Sequence, residues 1–176
     1  MNNKAVFLDR DGTINVDKPD IYRVEGFELI PKAAQALKRL KGYKIIVITN
    51  QGKIGRGICT EKDVEKLNDY MRRLLKKQGV VIDGIYYCPH HPDEGCDCRK
   101  PNTKLIKKAA EDFKIDLTKS FMVGDKTSDI KLGQNVGCRT ILVKTGSAGK
   151  DGRHEVKPDY IAEDLDEAVK WIVAQK

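Results

Sequence analysis

Two carboxylates separated by one residue follow a short apolar segment near the start of the chain, in the sequence V-F-L-D-R-D-G-T-I-N. At this spacing Asp9 and Asp11 repel one another, and each raises the pKa of the other. A hard cation such as Mg²⁺ removes that cost, because Mg²⁺ is commonly held by one or two carboxylates, waters and a substrate phosphate. The pair is therefore interpreted as part of a cation site.

Further polar residues end other apolar segments of the chain. Thr49 ends K-I-I-V-I-T, Asp125 follows F-M-V-G, and Lys100 leads into a helical segment. Each fragment alone fits a turn, a polar loop or a helix start, but their joint occurrence at successive strand ends favours a common site.

These residue types suit phosphoryl transfer. Three carboxylates, Asp9, Asp11 and Asp125, can hold Mg²⁺, while Thr49 and Lys100 bind phosphate oxygens and offset charge in the transition state. One carboxylate of the D-x-D pair can attack phosphorus to give an aspartyl phosphate. The other can protonate the leaving oxygen and later deprotonate the hydrolytic water.

The elements that must position these residues alternate along the chain. Strands are predicted at residues 6–8, 44–48, 85–87, 121–123 and 140–143, and helices at residues 31–40, 61–77, 104–113, 128–136 and 165–173. The alternation predicts a doubly wound α/β fold in which a parallel sheet carries helices on both faces. We expect one domain spanning residues 1–176, with its site at the carboxyl ends of the strands.

Composition narrows the classes of partner. The chain has 176 residues, a net charge of +7 and 6% aromatic residues. Positive charge favours an anionic partner, but the lysines lie on predicted outer helix faces, and few aromatic rings are present to stack on bases. A small anionic substrate is preferred over nucleic acid. The sequence shows neither a secretory leader nor an apolar run of membrane length, so we expect a cytoplasmic protein that binds no membrane.

A cysteine-rich loop stands outside the alternation, with the sequence C-P-H-H-P-D-E-G-C-D-C. Five cysteines without a leader argue against a disulfide framework. A structural Zn²⁺ site takes four thiolate or imidazole ligands. We predict Cys88, His90, Cys96 and Cys98, with His91 as the alternative imidazole and reduced, metal-free cysteines as the alternative state.

The ordered motifs D-R-D-G-T, T-N, Lys100 and G-D-K-T-S-D resemble those of the haloacid dehalogenase superfamily of phosphatases. A receiver domain combines similar residues but places its phosphorylated Asp well after the acidic pair. The resemblance implies that Asp9 is the nucleophile and Asp11 the general acid and base. It also implies that Asp9, Asp125 and the Asp11 carbonyl hold Mg²⁺, that Thr49 and Lys100 hold the phosphoryl group, and that Asp129 orients Lys100 or a metal-bound water.

C-P-H-H-P followed by C-D-C-R-K-P resembles the subgroup of D-glycero-D-manno-heptose-1,7-bisphosphate 7-phosphatases and histidinol-phosphatases. The superfamily commonly inserts a cap domain after the first motif or between the second and third, but neither interval has room for one here. We therefore expect a capless phosphatase acting on a small phosphorylated sugar, and we expect a monomer. We expect the heptose bisphosphate as substrate, with histidinol phosphate as the alternative and a zinc-stabilised nucleic-acid-binding module as a distant one. The implied substrate-binding residues are Asp17, Lys18, Pro19, Asp20, Asn50, Gln51, Gly52, Arg99 and Lys126.

The chain departs from the usual heptose pattern after T-N-Q. There it reads G-K-I-G-R-G, whereas heptose phosphatases typically have S-G-I-A-R-G. The segment D-I-K-L-G-Q-N-V-G also resembles the histidinol-phosphatase branch, so the sequence leaves both substrates open.

Overall fold

Six parallel strands form one sheet in the computed structural model, which describes residues 3–19 and 21–175. In chain order the strands are β1 (Ala5–Leu8), β2 (Lys44–Asn50), β3 (Gly84–Cys88), β4 (Phe121–Gly124), β5 (Arg139–Val143) and β6 (Tyr160–Ala162). Their order across the sheet is β3-β2-β1-β4-β5-β6. The predicted doubly wound parallel sheet is therefore confirmed.

Within the described residues, four helices connect these strands and a fifth follows β6. They are α1 (Ala33–Leu37), α2 (Glu61–Lys77), α3 (Lys104–Phe113), α4 (Thr127–Asn135) and α5 (Leu165–Ala174). Short 3₁₀ helices span Val24–Gly26, Pro92–Glu94 and Leu117–Lys119. None of the described helices is both long and apolar enough to cross a membrane.

The core lies on both faces of the sheet. Val6 and Leu8 of β1 pack on the side of α1, α2 and α5, whereas Phe7 packs on the side of α3 and α4. A strand covered on both faces needs apolar residues at successive positions, which explains the continuous runs in the sequence. The helices thus cover both faces and leave the carboxyl edge of the sheet free to carry a site.

Local signals set the bounds of some helices and not of others. At α2 the Thr60 side chain accepts from the Asp63 N–H while Asp63 bonds back to Thr60, so the predicted start is observed. At α1 the predicted helix over residues 31–40 was too long. Lys32 has a φ of 65°, which no right-handed helix accommodates, and the helix begins at Ala33.

The order of the strands creates a crevice at the carboxyl edge. The strands β1 and β4 are neighbours, but the chain continues from β1 to β2 on one side and from β4 to β5 on the other. Ligands of such folds bind at the point between two strands where the connections diverge. A 3₁₀ helix lies between β1 and α1, and α2 lies between β2 and β3. Within the described ranges neither interval holds a further domain, as predicted for a capless fold.

Candidate active site

Asp9 lies at the crevice, directly after β1, and is nearly buried. Its Oδ1 accepts from the Arg10 N–H at 2.7 Å and lies 2.9 Å from Lys100 Nζ. Lys100 Nζ also donates to the Ile48 carbonyl at 2.7 Å and lies 2.7 Å from Asp129 Oδ1. Burial alone would lower the pKa of Lys100, but the Asp129 and Asp9 carboxylates raise it, so the ammonium stays charged.

Three carboxylates, those of Asp9, Asp125 and Asp129, converge within 4.8 Å of one another. Burial, and then the charges of Asp9 and Asp129, raise the pKa of Asp125 to about 7. Asp125 Oδ1 is buried without a hydrogen-bond partner in the described part of the chain. An orphaned carboxylate oxygen among like charges fits a hard cation such as Mg²⁺.

Gly12 allows the backbone to approach this cluster closely. It has a φ of +88°, and a Cβ placed there would lie 2.6 Å from Asp125 Oδ2. Any side chain at this position would displace Asp125. Gly12 therefore has two roles: it allows the turn after β1, and it leaves room for the Asp125 carboxylate that follows β4.

The Asp11 carboxylate is held away from that cluster by Arg10. Arg10 donates to Asp11 Oδ1 from Nε at 3.1 Å and to Oδ2 from Nη2 at 3.0 Å, and Asn15 and Gln51 also donate to the carboxylate. Burial alone would raise the pKa of Asp11, but the charge and hydrogen bonds of Arg10, with those of Asn15 and Gln51, lower it. The carboxylate therefore remains ionised in the free protein.

Arg10 itself was not predicted as a site residue. It is fully buried, and its Nη1 donates to Asn68 of α2 at 2.9 Å. A buried, paired guanidinium is unusual. Its position between the two acids of D-R-D was the sequence signal that could have identified it.

Gln51 joins Asp11 to Thr49. Its Nε2 donates to Asp11 Oδ2 and to Thr49 Oγ1, each at 2.9 Å, and all three residues are nearly buried. This hydrogen bond orients Thr49 Oγ1 at the carboxyl end of β2. Asn50 instead accepts from the Lys100 N–H at 3.0 Å and so fixes the backbone of the phosphate-binding lysine candidate.

The predicted substrate-binding residues divide into two groups. Asn50, Arg99 and Lys126 line the cavity at the sheet edge. Lys126 Nζ lies 3.4 Å from Asp17 Oδ2, while Gly52 packs against Arg99, where a Cβ would lie 3.1 Å from Nη1.

Two other predicted residues, Lys18 and Pro19 in the loop after β1, do not line the cavity. Lys18 forms an exposed ion pair with Glu28 at 2.8 Å, and Pro19 is exposed. Asp20 lies outside the described residues. The structure thus brings Arg99 and Lys126 to the site but not Lys18 or Pro19.

The cysteine-rich loop brings four possible ligands together. The sulfur atoms of Cys88, Cys96 and Cys98 lie 3.0 to 3.7 Å apart, and His90 Nδ1 lies 3.1 Å from Cys98 Sγ and 3.6 Å from Cys88 Sγ. Bonds of about 2.0 to 2.3 Å to a tetrahedral Zn²⁺ separate its ligands by roughly 3.5 to 3.8 Å. The donor set and spacing fit zinc after small outward shifts.

His91 is turned away from these sulfur atoms. Its Nδ1 accepts from the Asp93 N–H at 3.1 Å and caps the short helix Pro92–Glu94. Of the two histidines of the loop, His90 is therefore the one grouped with the cysteines.

A cavity of about 450 Å³ connects the two clusters. Asp9, Asp11, Thr49 and Lys100 line one end, and the cysteine-rich loop supplies another wall. Asp151, Arg153 and His154, from the connection between β5 and β6, also line it. Sequence reasoning missed these three because no motif marks that connection.

Comparisons with known proteins agree with this geometry. The HAD-hydrolase-like family model matches residues 97–168. A D-glycero-β-D-manno-heptose-1,7-bisphosphate 7-phosphatase of Haemophilus ducreyi is 40% identical, over 98% of this chain and 100% of its own length. The enzyme of that name from Helicobacter pylori strain J99 is 43% identical, over 97% of both chains.

This chain belongs to the D-glycero-D-manno-heptose-1,7-bisphosphate 7-phosphatase family of haloacid dehalogenase-like hydrolases. The predicted family resemblance is thereby confirmed. The D,D-heptose 1,7-bisphosphate phosphatase of B. bronchiseptica, solved with magnesium and phosphate, matches 98% of the chain at 30% identity, with a TM-score of 0.89. That match covers 99% of the solved chain, so the two share one fold from end to end.

Proposed function

We propose that this protein removes the 7-phosphate of D-glycero-β-D-manno-heptose 1,7-bisphosphate through an aspartyl-phosphate intermediate. The observation that carries the proposal is the position of Asp9. Its carboxylate lines the cavity, lies 2.9 Å from a buried lysine, and belongs to a cluster of acids suited to Mg²⁺. The substrate itself is inferred from relatives that carry this name over nearly their whole length.

In the first step an Asp9 oxygen attacks the phosphorus atom and the bond from phosphorus to the sugar oxygen breaks. Asp11 in its protonated form gives its proton to that oxygen, which leaves as the hydroxyl group. Lys100 and Thr49 bind the remaining phosphoryl oxygens. Because Lys100 is already held by Asp9 and Asp129, it needs little reorganisation as charge develops.

In the second step Asp11 removes a proton from a water molecule, which attacks the phosphorus atom of the aspartyl phosphate. The bond between phosphorus and Asp9 breaks, inorganic phosphate leaves, and Asp11 is again protonated. Arg10 favours the ionised form of Asp11 through its charge and hydrogen bonds, which assists the release of the Asp11 proton in the first step. Because Asp11 is ionised in the free protein, it must take up a proton when the substrate binds before it can act as an acid.

Asp9, Asp125 and the backbone carbonyl of Asp11 would hold Mg²⁺, with Asp129 near them. The bound ion would neutralise the crowded carboxylates and the incoming phosphate. Cys88, His90, Cys96 and Cys98 would hold Zn²⁺ in a closed structural site, since four protein ligands leave no position for a reacting water.

We further propose a cytoplasmic monomer. The cysteines of the described chain are all free, and thiols that serve as zinc ligands need a reducing compartment to stay so. The monomeric state remains a prediction, which light scattering on the purified protein would test.

Phosphate release from a panel of substrates tests the proposed reaction. The panel contains both anomers of the heptose bisphosphate, fructose 1,6-bisphosphate and histidinol phosphate. We expect kcat/KM for the β-heptose bisphosphate to exceed the others by about tenfold or more. Faster turnover of histidinol phosphate would instead assign the chain to the alternative reaction.

A further inference from the structure

The connection between β5 and β6 borders the active-site cavity although no site motif lies in it. Arg153 is exposed at this border and shares the cavity with Arg99. Neither the catalytic residues nor the residues implied by the family resemblance account for this second arginine.

Hydrogen bonds fix this connection to the catalytic end of the sheet. Asp151 accepts from Thr127 at the start of α4, through the N–H at 2.8 Å and through Oγ1 at 2.7 Å. Thr127 Oγ1 also accepts from the His154 N–H at 3.3 Å. Upstream, the Ser147 N–H donates to Asp125 Oδ2 at 2.6 Å. The backbone on both sides of Arg153 is therefore placed relative to the reacting groups.

Arg99 has no carboxylate partner in the described part of the chain. Among residues 3–19 and 21–175, Arg99 and Arg153 form no ion pair, and Arg99 Nη1 is buried without a hydrogen-bond partner. Arg99 and Arg153 both line the cavity. Two guanidinium groups that line one cavity, neither of them paired with a carboxylate, suit a phosphate, which each can bind through two parallel hydrogen bonds.

We propose that Arg153, positioned by the Asp151–Thr127 hydrogen bonds, acts with Arg99 to bind the phosphate group that remains on the substrate. This inference rests on the proposed function and adds a residue that determines specificity for bisphosphates. The catalytic end of the cavity already uses Lys100 and Thr49 for the phosphate that is cleaved. A cavity of about 450 Å³ is large enough for a sugar with a second phosphate at the other end.

Arg153→Gln tests the subsite, because the side chain is exposed and the substitution removes the charge without emptying a core. The measurement is kcat/KM for the heptose 1,7-bisphosphate and for the heptose 7-phosphate, which lacks the second phosphate. We expect the ratio of the two values to fall about tenfold, mainly through the KM of the bisphosphate. Lys157→Gln is the matched control, since it removes an exposed cation of the same connection that does not line the cavity.

Asp151→Asn adds a test of positioning. It weakens the anchor on Thr127 and should lower the same ratio, and Arg153→Gln should add little in that background. An unchanged ratio in Arg153→Gln protein, or an equal loss on both substrates, would overturn the subsite while wild-type activity upholds the proposed function. If wild-type protein released phosphate from neither heptose substrate, the proposed function would fall and the subsite with it.

Discussion

Burial and neighbouring like charges both act against the ionisation of Asp125. Its pKa is raised to about 7 from an ordinary value of 3.8 by burial and by the charges of Asp9 and Asp129. Between these two pH values the folded protein keeps a proton that the unfolded chain releases. The free energy of unfolding therefore decreases as pH rises through this window.

Added Mg²⁺ should stabilise the protein more at pH 8 than at pH 5. At the higher pH the carboxylates are ionised and repel, so a cation binds them without displacing protons. At 100 times its Kd the ion stabilises the folded state by about 2.7 kcal/mol, which corresponds to a rise in Tm of roughly 5–10 °C. Thermal melts with and without Mg²⁺ at both pH values measure this, with Asp125→Asn as the control. Equal shifts at the two pH values would contradict the cluster as the binding site.

Single residues also show where sequence reasoning was sufficient and where it was not. Asp9, Thr49 and Lys100 could be predicted to meet because parallel strands end at one edge of the sheet. The bond from Arg10 to Asp11 could not, since a charged residue after a strand is ordinarily exposed. Its burial depends on Asn68, 58 positions away in the chain.

Among the elements, the cysteine-rich loop has the most direct influence on the site. Cys98 immediately precedes Arg99 and Lys100, so any force that holds Cys98 also sets the backbone that carries two cations. Gly52 adds a second constraint, because it lies in the loop after β2 and packs on Arg99 and on the His90 carbonyl. The loop therefore works as a support for the phosphate site.

Cys98→Ser should lose the zinc ion and lower kcat/KM by up to about a hundredfold, since a shift of about 1 Å in a positioning group has that effect. Mg²⁺ binding at Asp9 and Asp125 should persist. Cys59→Ser is the matched control, because Cys59 is nearly buried but lies outside the ligand group. Elemental analysis beside steady-state kinetics would decide, and wild-type protein that is fully active without zinc would remove the site from the account.

The elements differ in how far the sequence predicted them. The bounds of α2 and α3 were predicted as observed, since the amphipathic period of each helix, and at α2 also the Thr60 cap, are local signals. The strand β6 was missed because it has only three residues and lies at the edge of the sheet, where Ile161 is half exposed. Edge strands need little apolar sequence, so a short one leaves a weak signal.

At the scale of the whole molecule, the fold explains how a capless enzyme can enclose its substrate. The loops after β1 and β2, the cysteine-rich loop and the connection after β5 all meet above one edge of the sheet. Their positions follow from the strand order of the sheet. The alternating apolar segments predicted a parallel sheet but not that order. The contribution of the connection after β5 could not be predicted, because Asp151 and Arg153 reach the cavity only through tertiary hydrogen bonds.

The measurement that tests the account most directly is chemical trapping of the intermediate during turnover. Borohydride reduces an aspartyl phosphate to homoserine, which mass spectrometry locates in the chain. The account predicts homoserine at position 9 of the wild-type protein, only when heptose bisphosphate is present, and no phosphate release by the Asp9→Asn variant. Trapping at another residue, or brisk phosphate release by Asp9→Asn protein, would contradict it.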